Sequence, residues 1–247
     1  MIAKLVMNDI KKSFMTDKGP LPVVNGFSLT VAARQFVAIV GPSGCGKSTL
    51  MNIISGFDQP DSGEILVNGA VRHGPNANGI VISQQGSIFP WLTVRQNVVF
   101  GLNTGTPEEK LASADHYVEI VGLKGFEHSY PYELSGGMLK RLEIARALAV
   151  KPDTLYMDEP FSGLDALASL RLRRELLRIL EEEHHTVLLV THDVEEAIDL
   201  ADRILVLSPR PTRIQATFEV PFSHPRKLSS PEAQSLKEAV LRELGIS

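Results

Sequence analysis

Residues 36–49 read FVAIVGPSGCGKST, a short apolar run followed by a glycine-rich loop. The loop fits the phosphate-binding pattern of one glycine, four free positions and then Gly-Lys-Ser/Thr. Glycines let the backbone turn tightly and point successive N–H groups at a phosphate, and a helix that begins near Lys47 adds its positive end. A glycine-rich turn without a ligand is the alternative, but strand, loop and helix occur in the order that phosphate binding requires. The pattern therefore predicts a phosphate-binding site on an α/β fold.

Three side chains of this loop have predicted roles. Lys47 would reach the β- and γ-phosphates of a nucleotide, and the Ser48 hydroxyl would bind Mg²⁺. Cys45 is the one cysteine of the chain, and we interpret it as a small packing residue rather than a nucleophile. The predicted nucleotide-binding residues of the loop are Gly41, Pro42, Ser43, Gly44, Cys45, Gly46, Lys47, Ser48 and Thr49.

The composition limits the size of the core, the class of ligand and the cellular compartment that we expect for this chain. With 247 residues, of which 43% are hydrophobic, the chain can bury a large core as one domain. A formal net charge of −4 argues against nucleic acid as the principal ligand. A single cysteine fits a reducing compartment, and the first residues do not resemble a secretion signal. No apolar run approaches the roughly 18 residues that span a bilayer, so we expect any membrane role to come through a partner.

The beginning of the chain predicts an antiparallel edge to the sheet. Residues 3–14 and 23–31 alternate apolar and polar positions, and the segment with Pro20 and Pro22 is expected to separate the two strands. Phe14 ends the first strand on the side where a nucleotide base would stack. An isolated aromatic is more often part of a core, so both interpretations of Phe14 stay open.

Two buried strands are followed by side chains that suit Mg²⁺ and water. Residues 79–83 lead to Gln84, and residues 154–157 lead to Asp158 and Glu159. We expect Asp158 to hold Mg²⁺ and Glu159 to orient and polarise an attacking water, with an acidic turn as the alternative. Gln84 would bind Mg²⁺ or the attacking water, with a solvated loop amide as the alternative.

A third buried strand, residues 186–190, leads to His192. This histidine would donate a hydrogen bond to the γ-phosphate, although a lone loop histidine is usually incidental. Ligands of open α/β sheets collect at the carboxyl ends of the strands. The three strands therefore predict one nucleotide-binding edge.

Residues of about 86–150 are predicted to form an all-helical insertion between two strands. Thr93 suits an N-cap for a helix over 94–100, and Thr106 begins a helix that continues to about Val121. The strand pattern returns only after this block.

Leu134-Ser135-Gly136-Gly137 precedes a further helix of the block, over residues 138–150. This start would expose free N–H groups and a positive helix end, which makes Ser135, Gly136 and Gly137 a second candidate phosphate site. A helix N-cap with flexible glycines explains the same residues equally well.

Taken together, the motifs resemble those of the nucleotide-binding subunit of ABC transporters over essentially residues 3–220. Their fixed order makes the resemblance specific. Phe14 matches the aromatic residue that stacks on adenine in this family. The other matching motifs are the Walker A loop (Gly41–Thr49), the Q-loop (Gln84), the signature (Leu134–Gly137), Walker B (Asp158-Glu159), the D-loop (Ser162–Asp165) and the switch histidine (His192).

The resemblance implies a P-loop NTPase core with a mostly parallel sheet, an antiparallel β subdomain at its edge and the inserted all-helical subdomain. It divides the chain into an ATPase domain, residues 1–220, and a C-terminal connector and helix, residues 221–247. It also implies ATP and Mg²⁺ as cofactors and hydrolysis of ATP to ADP and phosphate. The implied catalytic residues are Glu159, His192 and Gln84, and the implied metal ligands are Ser48, Gln84 and Asp158.

Finer matches resemble the ATPases of bacterial nitrate, sulfonate and taurine importers. They comprise residues 89–94 with Asn97, residues 192–197 and residues 208–211. Two residues depart from the common family pattern: Met138 and Lys140 each stand where many members have Gln. The Met variant is familiar in one importer branch, so we do not expect it to abolish function.

The resemblance also implies partners. In the family two chains pair head to tail, so that each ATP lies between Lys47 of one chain and Ser135-Gly136-Gly137 of the other. Transmembrane permease subunits would hold the chain at the cytoplasmic face of the inner membrane, and a periplasmic or lipid-anchored solute-binding protein would act indirectly. The permease would contact the region near Gln84 and Trp91, where Trp91 is either a contact residue or a buried anchor.

Three other functions stay open on sequence alone. An exporter ATPase is one, because direction is largely set by the membrane partner. A soluble ABC-type ATPase that acts on DNA or protein assemblies is expected to carry long coiled-coil or zinc insertions, which this chain lacks. A P-loop kinase would need a substrate-binding lid and would not need Leu134–Gly137.

Overall fold

A computed structural model describes residues 3–75, 78–83 and 86–246. The predicted role of Gln84 therefore lies outside the described residues. The chain divides into two compact units, the first from its start to residue 79 together with 186–247, and the second from 80 to 185. None of the described helices is both long and apolar enough to cross a membrane.

The elements of the described residues are as follows. The strands are β1 (Ala3–Thr16), β2 (Gly19–Ala32), β3 (Phe36–Val40), β4 (Ser62–Val67), β5 (Ala70–Val71), β6 (Gly79–Ile82), β7 (Thr154–Asp158), β8 (Thr186–Val190), β9 (Arg203–Leu207) and β10 (Ile214–Glu219). The helices are α1 (Lys47–Ser55), α2 (Val94–Phe100), α3 (Pro107–Ile120), α4 (Gly136–Ala149), α5 (Ala166–Glu183), α6 (Val194–Leu200) and α7 (Pro231–Glu243), with a 3₁₀ turn at Pro131–Glu133.

The antiparallel sheet of the first unit has the strand order β2-β1-β4-β5. The expectation that prolines separate β1 from β2 was wrong, since Pro20 and Pro22 lie inside β2 and pair with Met15 and Ser13. Proline is tolerated there because β2 is at the edge of this sheet, where a missing N–H leaves no ladder bond unmade. The first strand consequently continues past Phe14.

The parallel part of the first unit is centred on β3. This strand pairs in parallel with β8 on one side and with β9 on the other, and β10 pairs antiparallel with β9. Every residue of β3 and β8 is buried. Strands covered on both faces are apolar throughout rather than alternating, which explains the uninterrupted run at 36–40.

The second unit contains the helices that the sequence predicts for residues 86–150, and no strand lies in the described part of that range. Thr93 and Thr106 cap α2 and α3, each with a reciprocal bond from the side chain three residues on. Helices α2, α3 and α4 pack on one another. Strand β7, which is entirely buried, precedes the long amphipathic helix α5.

A polar cluster joins α3 to the end of α5. The Tyr117 hydroxyl donates to the Glu183 carboxylate at 2.6 Å, and His185 Nε2 lies 2.8 Å from its other oxygen. Burial raises the pKa of Glu183, but the hydrogen bonds from Tyr117 and His185 outweigh burial and leave that pKa below its ordinary value. Burial raises the pKa of the Tyr117 hydroxyl, and the hydrogen bond to Glu183 raises it further. Tyr117 therefore stays protonated and acts as the donor.

We expect Tyr117→Phe to lower the free energy of unfolding by about 1.5–3 kcal/mol at neutral pH, because a hydrogen bond to a charged group is lost. Because the pKa of Glu183 is depressed, this stabilisation is present above the ordinary carboxyl pKa and is lost as pH falls through the folded-state value. Urea unfolding at several pH values measures both effects. The control Tyr132→Phe, at a side chain 78% exposed, should change stability by less than about 0.5 kcal/mol. Equal stability of the two variants at neutral pH would contradict the assignment.

Candidate functional site

The glycine-rich loop connects β3 to α1 in the first unit. Gly46 precedes the helix with a left-handed φ of 114°, and no described side chain caps the first turn of α1. The N–H groups of that turn are therefore available to an external acceptor, and the helix dipole favours an anion there. This geometry suits a phosphate.

Lys47, the first residue of α1, is held against the loop. Its side chain is 9% exposed, and Nζ donates to the carbonyl oxygens of Gly41 at 2.8 Å and Pro42 at 3.0 Å. The adjacent Ser48 is exposed on the same helical turn. One turn of helix thus presents an ammonium group and a hydroxyl beside the loop.

His192 follows β8 in the same unit. Because β8 pairs in parallel with β3, with Ile39 opposite Val190, the loop after β3 and the residues after β8 begin at the same edge. Thr191 N–H donates to the Ile39 carbonyl at 3.1 Å, and the Asp193 carboxylate caps α6. His192 lies between these two fixed residues and is exposed.

Thr212 supports the loop and was not singled out by the sequence. It is fully buried, its hydroxyl donates to the Cys45 carbonyl, and its N–H donates to the Val23 carbonyl at 2.7 Å. The guanidinium of Arg210 lies near the loop, 3.7 Å from where a side chain would begin at Gly44. The sequence singled out residues 208–211 only as a family match and predicted neither contact, although Arg210 belongs to this run and Thr212 follows it.

Cys45 and Phe14 differ in burial. The Cys45 thiol is buried, and burial raises its pKa, which agrees with a packing residue rather than a nucleophile. Phe14 is 41% exposed on β1, with Lys12 Nζ 5.4 Å from its ring centroid. Phe14 is thus not a core residue. Its exposure leaves stacking on a nucleotide base as the remaining interpretation of this ring.

In the second unit, Asp158 and Glu159 follow one another at the end of β7. Asp158 is buried, whereas Glu159 is partly exposed and has a φ of 49°, in the left-handed region. A residue with a side chain seldom adopts this conformation, which costs energy and is concentrated at functional sites.

Ser135 begins α4 and caps it. Its Oγ accepts from the Met138 N–H at 3.3 Å, as the N-cap interpretation expects, while the side chain remains exposed. A side chain added at Gly137 would begin 3.2 Å from a Leu164 methyl group. Helix α4 and the predicted D-loop are therefore close together at Gly137. A side chain added at Gly136 would have no other atom within 4 Å.

An aromatic cluster formed by Phe89, Trp91 and Phe100 lies on the second unit. The Phe89 ring centroid is 5.5 Å from that of Trp91 and 4.4 Å from that of Phe100, and the Arg146 guanidinium lies 4.8 Å from the Phe89 centroid. Trp91 is 69% exposed, so it is not a buried anchor. The cluster is an exposed apolar surface with a cation beside it.

The donor groups fit Mg²⁺ better than a soft metal. Ser48 offers a hydroxyl and Asp158 a carboxylate, and Mg²⁺ prefers oxygen ligands. No group of three or more His, Cys, Asp or Glu residues in the described ranges could hold a metal by itself.

We expect Gly46→Ala to weaken nucleoside triphosphate binding by about tenfold or more, because a side chain is strained at this φ and distorts the loop. The added carbon would begin 2.8 Å from the Val23 side chain and 2.9 Å from the Thr212 hydroxyl. Titration calorimetry measures the affinity. The control Gly74→Ala, where the new carbon meets nothing within 4 Å, should bind like the parent. Unchanged affinity in Gly46→Ala would remove the loop from the binding site.

The sequence of this chain is similar to those of known proteins. The profile of the ABC transporter family matches residues 24–162. The nitrate import ATP-binding protein of Synechococcus elongatus is 40% identical over 223 residues, which cover 88% of this chain and 81% of that protein. The taurine import ATP-binding protein of Roseobacter denitrificans is 41% identical over 222 residues, 89% of this chain and 83% of that protein.

A solved structure gives the same result for the fold. The dimeric ATP-binding cassette in a post-hydrolysis state, bound to ADP and phosphate, superimposes with a TM-score of 0.80 at 26% identity, covering 89% of this chain and all of that one. The resemblance found in the motifs is thereby confirmed, as is the fold class. The chain belongs to the ABC transporter family.

Proposed function

We propose that this chain hydrolyses MgATP to power an importer of nitrate, a sulfonate such as taurine, or a similar small solute. The observation that carries the proposal is the loop of the first unit, where the buried Lys47 and the exposed Ser48 stand beside uncapped helix N–H groups. Two relatives at 40% and 41% identity are import ATP-binding proteins, which favours an importer over an exporter.

The loop binds the triphosphate by charge and by backbone donors. Lys47 exchanges its contacts with the Gly41 and Pro42 carbonyls for the β- and γ-phosphates, whose charge the N-terminus of α1 also stabilises. His192 donates a hydrogen bond to the γ-phosphate from the same sheet edge. Phe14 stacks on the adenine, for which its partial exposure is suitable.

Ser48, Asp158 and Gln84 hold the metal in this proposal. When bound, Mg²⁺ neutralises charge on the β- and γ-phosphates. The hard oxygen donors of Ser48 and Asp158 support this assignment.

Glu159 activates the water. It accepts a hydrogen bond from the water and polarises it, the water oxygen bonds to the γ-phosphorus, and the bond from that phosphorus to the bridging oxygen breaks to give ADP and phosphate. The left-handed backbone at Glu159 supports the role, because strained backbone of this kind is concentrated at functional sites.

A second copy completes the site. Ser135, Gly136 and Gly137 of one chain bind the γ-phosphate of ATP held by the Lys47 loop of its partner, so ATP holds the two chains together and hydrolysis releases them. The exposure of Ser135 and Gly136 supports this arrangement, and the solved cassette that superimposes on this chain is a dimer. Ser135 Oγ accepts from the Met138 N–H, so its O–H can still donate to a phosphate oxygen, and the helix end itself favours an anion.

The permease binds the aromatic cluster of Phe89, Trp91 and Phe100. An exposed apolar surface of this kind is a common feature of protein contacts, and Trp and Arg are enriched in them. In this arrangement the chain is a peripheral subunit at the cytoplasmic face of the membrane, and the solute-binding protein acts on it through the permease.

We expect Glu159→Gln to bind ATP with an affinity within about threefold of the parent and to lose about 10²-fold or more in turnover, because the water is no longer activated. Size-exclusion chromatography with ATP should show a trapped dimer. The control Glu182→Gln, at an exposed carboxylate on α5, should hydrolyse at the parent rate. Normal hydrolysis by Glu159→Gln would remove this residue from the proposed role.

We expect Ser135→Arg to slow hydrolysis about tenfold or more without loss of ATP affinity by the isolated chain, since it blocks the neighbour's site rather than its own. Lys47→Ala should bind ATP poorly. Mixing the two inactive variants forms one intact site, from the loop of the first variant and the signature of the second, and should restore hydrolysis. A mixture as inactive as its components would reject the shared site.

A further inference from the structure

Three charged side chains of α4 lie on one face of the helix. Together they contact Ser83 and Ser87. Lys140, Glu143 and Arg146 follow one another at intervals of three residues, which brings them to neighbouring positions on a helix. These contacts all lie within the second unit.

The contacts hold the chain at Ser83 and at Ser87. Lys140 Nζ donates to the Ser83 carbonyl at 2.6 Å and to Glu143 Oε2 at 3.1 Å. The other Glu143 oxygen accepts from the Ser87 hydroxyl at 3.1 Å. Arg146 donates to the Ser87 carbonyl at 2.6 Å and to its Oγ at 2.7 Å.

The pair of Lys140 and Glu143 is buried. The two residues are 9% and 2% exposed, so each charge depends on the other and on these hydrogen bonds for its stabilisation. Removing one partner leaves the other charge buried and uncompensated. A buried pair of this kind is weak evidence for stability but restricts geometry, because few arrangements satisfy both charges.

These contacts connect two parts of the proposed machinery through helix α4. Helix α4 begins beside Ser135, and Ser83 and Ser87 stand on either side of Gln84 in the sequence. A helix is rigid over this distance, so the ion pair sets where the chain before and after Gln84 stands relative to Ser135.

We propose that Lys140 and Glu143 are positioning residues for ATP hydrolysis, acting as a buried ion pair that holds the chain at Ser83 and Ser87 against the helix that begins at Ser135. The proposal deepens the proposed function and rests on it. Lys140 and Glu143 act through the residues they hold and touch no nucleotide.

The test compares kcat and KM for ATP in Lys140→Gln, Glu143→Gln and the double variant, using the full chain with MgATP. Each single variant leaves one buried charge unpaired, and we expect kcat per bound nucleotide to fall about tenfold with KM within about twofold, because the phosphate loop belongs to the other unit. The double variant replaces the ion pair with a neutral pair that can still form hydrogen bonds, and should recover to within about threefold of the parent.

Two further variants keep the test decisive. Ser87→Ala, at an exposed position that should not prevent folding, removes only the hydroxyl between Glu143 and Arg146 and should lower kcat about threefold with KM unchanged. The control Glu119→Gln breaks an exposed ion pair with Lys124 and should leave kcat and KM at the parent values.

The proposal is overturned if the single variants match the parent in kcat. It is equally overturned if they lower only the melting temperature while kcat per bound nucleotide is retained, or if the double variant is no faster than the slower single variant. Parent protein that fails to hydrolyse MgATP would instead reject the proposed function, so the two failures are distinguishable.

Discussion

Parallel pairing between β3 and β8 is the constraint from which the proposed nucleotide site of the first unit follows. Strands that run in the same direction end at the same edge, so the loop after Val40 and the turn after Val190 start side by side. Neither strand could expose a polar residue within its length, because both are buried throughout. The polar residues that solvent can reach therefore lie beyond these strands, and those that follow β3 and β8 share one edge.

The loop itself depends on contacts from outside the motif. Val23 on β2 and the buried Thr212 pack against Gly46, leaving no space for a side chain there. Functional loops on rigid scaffolds keep their geometry because the surrounding structure restricts them. In this unit the antiparallel strand and the turn after Ser208 provide that support.

Sequence reasoning predicted what local patterns encode and missed what depends on distant residues. The phosphate loop, the parallel strands and the capped helices at Thr93 and Thr106 all carry their signals within a few residues. The contact of Thr212 with Cys45 joins residues 167 positions apart, and no local pattern reveals it. The prolines of β2 were misread because edge position, which decides whether a strand tolerates proline, is a property of the sheet. The ion pair of α4 was invisible for a similar reason, since a charged residue in a helix ordinarily indicates a solvated face.

The buried thiol of Cys45 has a consequence for how the loop responds to oxidants. Oxidants and electrophiles react with thiolates that solvent can reach, and this sulfur is both shielded and kept protonated. As the chain has no other cysteine, the folded protein offers no solvent-accessible thiol to an oxidant. Oxidation of this thiol would therefore require the loop around it to open first.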